Sequence, residues 1–298
     1  MHWEETLLYP GITLRCLEAW QEETVDLGWK PRPDTLVIHY CLSGRMGWDM
    51  PGGNRIYLGA GDFCLNTMEL CANSPVSLPN GDYRGLAILI DRKSLAENPP
   101  QALANAGITG EGLLKKYCPA GRCAVFAAEK NVEQIFETFF TAPPEIRLTS
   151  RRIKLLELLL VLSSTNGGRE KNLTEYRSEQ VELIRQIHDQ LTGNLERRYS
   201  IDALSRQYLM NPTTLKQMFK TVYGTSIAAH IREHRMESAA QLLANTDLSI
   251  ADIAQKVGYD SQSRFSSAFK EYYHMLPKEY RRKCAKNEIT PDVSTLDR

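Results

Sequence analysis

The chain has 298 residues, enough for two domains with cores of their own, and its 36 lysines and arginines are balanced by 36 aspartates and glutamates, so formal charge argues neither for nor against a nucleic-acid partner. Seven cysteines (Cys16, Cys41, Cys64, Cys71, Cys118, Cys123 and Cys284) form an odd set without the spacing of a disulfide framework. Residues 1–5 are polar and acidic and no apolar run approaches the roughly 18 residues of a membrane helix, so the reading is a cytosolic chain with reduced thiols, without membrane partners.

Residues 1–90 read as short strands. The stretch 35–41 is β-branched and apolar, Gly44 and Arg45 suggest a turn, and 46–50 continues as a second strand. Pro51, Gly52, Gly53 and Asn54 suit a hairpin turn before a strand at 55–58. A Gly-rich turn at 59–62 precedes 63–67, and 83–91 closes the series. Short strands with Gly-rich turns at this spacing imply a small sandwich or barrel.

From about residue 92 the pattern turns helical. Asn98, Pro99 and Pro100 break the chain, and 103–116 is weakly helical around Gly107 and Gly110. Over 131–140, Val132, Ile135, Phe136, Phe139 and Phe140 share one side. After Pro143 and Pro144, 145–162 carries Ile146, Ile153, Leu156, Leu159 and Leu160, apolar over more of its girth than one domain face needs. A second copy of the chain covering these helices, or simple packing on the barrel, would account for the excess. The polar, Gly-containing stretch 163–171 offers no core residues. A linker is therefore expected over 166–177, between a first domain at 1–165 and a second at 178–284, with a disordered tail at 285–298.

The second domain repeats itself. Ser200, Ile201, Asp202, Ala203, Leu204 and Ser205 are echoed by Ser249, Ile250, Ala251, Asp252, Ile253 and Ala254, each opening with a serine able to cap a helix. Longer helices follow, with Leu215, Met218, Phe219 and Val222 in the first and Phe265, Ala268, Phe269 and Tyr272 at the same spacing in the second. A short helix, a tight turn and a second helix with one apolar stripe make a helix-turn-helix. Between the copies, Ile231, His234, Arg235, Ser238, Ala239, Leu242 and Leu243 form a helical stripe that reads as a rigid connector. Residues 178–284 hold 15 basic against 12 acidic side chains, a modest excess that predicts moderate, salt-dependent binding to DNA.

This arrangement resembles the DNA-binding domain of the AraC/XylS family of transcription activators, over about residues 178–283. The resemblance rests on Leu215, Phe219, Lys220, Gly224, Arg235, Ala239, Leu242, Leu243, Ile253, Ala254, Gly258, Phe265, Phe269, Lys270, Pro277, Tyr280 and Arg281. His274 stands where the family usually has a glycine. The strands at 1–90 resemble the cupin-like sensor that many members carry, and the wording at 39–45, 59–62 and 78–91 is similar to the siderophore-responsive, pyochelin-regulator-like branch. The fold implied is α+β: a cupin-like small β-barrel or sandwich with following helices, then an all-α double helix-turn-helix domain.

Two such units should enter successive major-groove faces about 34 Å apart. By position in the motif, Thr213, Lys216 and Gln217, then Ser263, Arg264 and Ser267, resemble the base-contacting set. Gln217 suits the adenine edge and Arg264 the guanine edge. Thr214, Lys220, Gln262 and Lys270 are expected on the phosphate backbone, which positions without specifying. The alternative for every one of them is a solvated helix face. Arg235 is read as an internal salt bridge to Asp252 or Glu237, and His234 and His274 as packing or capping residues.

In the first domain, His39, Met46, Trp48 and Tyr57, with Phe63, offer surface for a flat ligand or simply fill the barrel. His39 and Cys41 share a strand face and could be half of a metal site with Cys64 and Cys71. The cupin metal pattern of two histidines, a glutamate and a third histidine is absent, so no metal and no cofactor are expected. Cys118 and Cys123 invite a redox switch or are inert loop thiols. The implied function is a small-molecule-controlled transcription activator with three partners: double-stranded DNA, a second copy through helices within 130–162, and RNA polymerase. The alternatives are a cupin-domain enzyme with a DNA-binding appendage and a DNA-binding dimer that senses no ligand.

Overall fold

In a computed structural model, residues 2–20, 24–29, 32, 34–50, 53–71, 75–118, 123–165, 167–171, 176–286 and 289 are described. They fall into two compact units, Met1–Ser178 and Glu179–Arg298. The expected disordered tail lies, apart from residues 285, 286 and 289, outside the described residues, as does the span between Cys118 and Cys123.

The first unit is built on β1 (His2–Tyr9), β2 (Ile12–Ala19), β3 (Thr24–Val25), β4 (Thr35–Asp49), β5 (Asn54–Gly59), β6 (Asp62–Thr67), β7 (Val76–Ser77), β8 (Tyr83–Asp91), β9 (Val125–Ala128), β10 (Gly168–Glu170) and β11 (Tyr176–Arg177). Among the described residues every pairing is antiparallel, in two sheets that share β4: β1-β2-β8-β4-β6-β9-β10 and β3-β7-β4-β5-β11. The strands expected at 35–41 and 46–50 are therefore one strand. Instead of turning at Gly44 it bulges between Cys41 and Ser43 and passes from the first sheet to the second. Gly44, at φ +77°, permits this bend, because a Cβ there would run into the Asp82 carbonyl.

Alternation along β4 divides the interior. Leu36, Ile38 and Tyr40 point to a helical layer, while Val37, Cys41, Met46 and Trp48 point between the sheets. The helices are α1 (Met68–Cys71), α2 (Arg92–Glu97), α3 (Gly110–Tyr117), α4 (Lys130–Thr141) and α5 (Arg147–Ser164). Tyr40 stacks on Phe136 of α4, with ring centroids 4.2 Å apart. Arg151 of α5, almost fully buried, donates to Glu4 of β1 at 2.7 Å and to the Phe139 carbonyl at 3.0 Å, which locks α5 to both neighbours. The stripe expected on α5 splits: Leu159 is buried, Leu156 half-buried, and Ile153 and Leu160 are exposed, as is Ile146 just before the helix.

Two boundaries differ from expectation. The region after residue 91 is not purely helical, because β9 joins β6 and β10 joins β9. Nor is 166–177 simply a linker: β10 and β11 lie in it, and Lys171 pairs with buried Asp62 at 2.5 Å. Edge strands this short need only main-chain partners, so polar residues can form them without a hydrophobic pattern.

The second unit comprises α6 (Ser178–Thr192), α7 (Ile201–Gln207), α8 (Pro212–Tyr223), α9 (Ile227–Asn245), α10 (Ile250–Lys256), α11 (Gln262–Tyr273) and α12 (Pro277–Ala285). Ser200, Asn211, Ser226, Ser249 and Ser261 cap the helices that follow them by accepting from main-chain N–H groups of the first turn. The connector α9 buries Ile227 and His230 near its start and Met236, Ala239, Ala240 and Leu243 farther on. The latter four join Ile253, Phe265, Phe269 and Tyr280 in one core. Of the predicted stripe only Ala239 and Leu243 are fully buried; Ile231, His234, Arg235, Ser238 and Leu242 are half-buried at its margin.

Candidate nucleic-acid interface and effector cavity

The two helix-turn-helix units are α7–α8 and α10–α11. Their turns close alike: Met210 N–H donates to the Ser205 carbonyl at 2.9 Å, and Tyr259 N–H to the Ala254 carbonyl at 2.8 Å. Leu209 and Gly258 precede these donors with φ +50° and +79°. Each longer helix then buries one face and bares the other. On α8, Leu215, Met218, Phe219 and Val222 are buried, whereas Thr213, Lys216, Gln217 and Lys220 are exposed and Thr214 is half-buried. On α11, Phe265, Phe269 and Tyr273 are buried, and Gln262, Ser263, Arg264, Ser267 and Lys270 are exposed.

Nine of the ten candidate DNA-facing residues are therefore exposed, Gln262 in the first turn of α11 and the rest away from the buried stripes. Arg264 is 77% exposed, with Asp260 at 3.9 Å, and Asp260 also accepts from Arg198 at 2.6 Å. His274 ends α11 in the left-handed conformation, φ +57°, that Gly224 adopts at +82° after α8. The turn therefore keeps its glycine-like shape despite the histidine.

Arg235 corrects an expectation. It donates from Nε and Nη2 to the Leu195 carbonyl at 3.1 and 2.8 Å and covers the Tyr259 ring, rather than pairing with Asp252 or Glu237. Asp252 instead accepts from its own helix cap, Ser249. Arg281, from the Pro-x-x-Tyr-Arg ending, likewise donates to the main chain, at Leu243 and Leu248. Both arginines satisfy carbonyls left open where helices and loops meet.

In the first unit a cavity of about 30 Å³ lies between the sheets, lined by Trp3, Arg15, Leu17, Leu27, Trp29, His39, Met46, Tyr83, Leu86 and Ala87. That is room for little more than one water as it stands. His39 lies between Trp29 and Trp48, with ring centroids 5.4 Å from each. His39 Nε2 and Trp48 Nε1 are buried and meet no hydrogen-bond partner among the described residues. Burial alone drives His39 down to about 4, so its imidazole is neutral at physiological pH.

Of the expected pocket residues, His39 and Met46 reach the cavity and Trp48 backs His39. Tyr57 alternates away from Ile56 and Leu58, which point inward, and lies under the Arg45 guanidinium. Phe63 faces the helical layer instead, against Tyr117, Phe126 and Phe136. Sequence reasoning missed Trp29, which shares the wall with His39, and Arg15, which covers both Trp3 and Trp29 at 5.3 and 5.5 Å. Cys41 donates to main-chain oxygens of Ser43 and Gly44. Cys118 is buried and Cys123 half-buried, so neither is an exposed loop thiol, and Cys123 Sγ accepts from Asn66 at 3.3 Å. The Cys71 side chain lies outside the described residues.

A third cluster was not anticipated. His188 of α6 and His230 and His234 of α9 bring one ring nitrogen each within 4.8 Å of one another. His188 stacks on Tyr223 at 4.4 Å, the last residue of α8.

The chain matches the helix-turn-helix domain family over residues 204–283. It is similar to the virulence regulon transcriptional activator VirF of Yersinia enterocolitica, 34% identical over 259 residues that span 82% of this chain and 88% of that one. The Msm operon regulatory protein of Streptococcus mutans is 28% identical over 279 residues, 91% of this chain and 94% of the relative. Among solved structures, a Chromobacterium violaceum transcriptional regulator with an AraC-type DNA-binding domain is 25% identical over 37% of this chain and 98% of its own, with a TM-score of 0.34.

Proposed function

Because the chain belongs to the AraC family of DNA-binding transcription regulators, we propose that α8 and α11 read one operator through successive major-groove faces, about 34 Å apart. The observation that carries this reading is the bared face repeated on both helices. It sets Lys216 and Gln217 on one and Ser263, Arg264 and Ser267 on the other, opposite buried phenylalanines. Thr213, Lys216, Gln217, Ser263, Arg264 and Ser267 contact bases; Thr214, Lys220, Gln262 and Lys270 contact phosphates.

The output is activation through RNA polymerase, in keeping with the activator named among the relatives, and it takes place in the cytoplasm. The first unit senses a small molecule and pairs two protomers through α4 and α5. The cavity beside His39 receives the effector: it joins aromatic walls to the buried His39 Nε2, which meets no hydrogen-bond partner among the described residues, a combination that suits a ligand site. Its present volume requires the walls to part as the effector enters. The protein catalyses no reaction. In vitro selection of bound DNA from a random pool, repeated with Gln217→Ala and Arg264→Ala, tests the DNA reading. The expected result is two short motifs about one helical turn apart, each relaxed by one variant. A pool without a common motif, or one unchanged by both variants, contradicts it.

A further inference from the structure

The three histidines behind α8 have no part in the DNA reading proposed above, and they bring ring nitrogens together as well as packing on one another. His230 and His234 are four residues apart on α9 and therefore share one face, with their Nε2 atoms 3.1 Å apart. Two imidazole nitrogens on a tetrahedral zinc ion, each at about 2.0–2.1 Å, are separated by roughly 3.3 Å. The α9 pair already has nearly that separation. His188, from α6, supplies the third nitrogen at no more than 4.8 Å and needs to close by at most about 1.5 Å.

The outer nitrogens are also arranged. His188 Nδ1 lies 3.1 Å from Asp189 Oδ1, and His234 Nδ1 lies 3.6 Å from Glu237 Oε2. The Asp189 carboxylate, within hydrogen-bond reach, keeps the proton on His188 Nδ1 and leaves its Nε2 lone pair for a metal, the usual support of a metal-bound histidine, whereas Glu237 stands just beyond that reach of His234. Solvent reaches the cluster, since the side chains of His188 and His234 are 19% and 34% exposed, while His230 is buried beneath them. Tyr223 and Phe219 flank the rings, Tyr223 stacked on His188 and Phe219 edge-on to His230.

We propose that His188, His230 and His234 form a three-imidazole site for a divalent first-row transition ion of the zinc class, with water in the fourth position. Imidazole donors suit zinc and its neighbours and not magnesium or calcium, which take oxygen ligands. Such an ion ties α6 to α9 directly behind α8, the helix whose far face carries Lys216 and Gln217. The site stands on its own geometry and is independent of the effector cavity.

The test uses the full chain without a histidine tag, stripped with a chelator and titrated with zinc chloride by calorimetry and with cobalt chloride by absorption. One equivalent of zinc should bind and raise the melting temperature. Cobalt should show the visible bands of four-coordinate nitrogen ligation without thiolate charge transfer. His188→Gln and His234→Gln should each weaken zinc binding at least tenfold, while His2→Gln leaves it unchanged, all with native circular dichroism. No stoichiometric zinc binding overturns the proposal, as does zinc binding that both variants leave intact. If a variant fails to fold, the wild-type cobalt spectrum decides: thiolate charge transfer would place the metal on cysteines and refute the histidine site.

Discussion

Leu209 and Gly258 hold the same position in the two helix-turn-helix turns, each left-handed and each one residue before the N–H that closes the turn. Gly258 needs to be glycine. A Cβ there would strike the Leu195 carbonyl and come within 2.5 Å of the Arg235 guanidinium. Leu209 is 95% exposed, so it takes on the strain of positive φ and buries nothing in return. Left-handed backbone costs a non-glycine residue about 1–2 kcal/mol, against about 0.5–1 kcal/mol of extra chain entropy for glycine. Leu209→Gly should therefore stabilise the second unit by about 0.5 kcal/mol, and Gly258→Ala should destabilise it by about 2 kcal/mol or more. Urea unfolding of both variants checks the pair; equal effects of the same sign would refute the distinction between the turns.

The first unit should weaken in mild acid through His39. Its folded-state value, about 4, lies below the ordinary 6.5 because burial disfavours the charged ring. Between those values the unfolded chain binds the proton and the folded one does not, so stability is lost as pH falls from 6.5 toward 4. The full effect is about 3 kcal/mol. His39→Leu should flatten this dependence when unfolding is measured at pH 7.5 and pH 5. An unchanged pH dependence would show that His39 is not its source.

Ile153 and Leu160 on the outer side of α5, with Ile146 just before it, recur every seven residues and are 57, 44 and 55% exposed. This exposed apolar row is the surface assigned to pairing of protomers. Ile153→Lys with Leu160→Lys should convert a dimer to a monomer in sedimentation velocity without lowering the melting temperature of the protomer. A dimer that survives both charges would place the contact elsewhere.

Lys270 and Arg264 are both exposed on α11 but should behave differently. Lys270→Ala should weaken binding to all sequences alike and reduce the slope of log affinity against log salt by about 1. Arg264→Ala should cost about 1–3 kcal/mol at one base pair and little elsewhere. Fluorescence anisotropy across a salt series, with operator and scrambled DNA, separates the two; identical profiles would remove the distinction between backbone and base contact.

The second unit was legible because its determinants are local. Serine caps, an apolar stripe and a turn lie within about 20 residues of one another in each copy, and the structure keeps that order, with one residue more between Gly258 and the Ser261 cap than between Leu209 and the Asn211 cap. The first unit was legible only where strands alternate. Strand β9 is four residues without a clear pattern, and β10 is polar and held by main-chain bonds, so neither showed itself. Arg235 was placed correctly inside the fold, but its carbonyl partner at Leu195 lies in a loop whose path the sequence does not reveal. The histidine cluster was half visible: His230 and His234 have chelating spacing on one helix, while His188 joins them only through the packing of α6 on α9.

The central claim, that one chain reads DNA with two helices, is tested most directly by hydroxyl-radical footprinting of the full chain on its selected operator. Two protected patches one helical turn apart on the same face of the duplex are expected. Gln217→Ala should weaken the patch under α8 and Arg264→Ala the patch under α11, each leaving the other in place. A single patch, or two that fade together whichever helix is altered, would contradict the account.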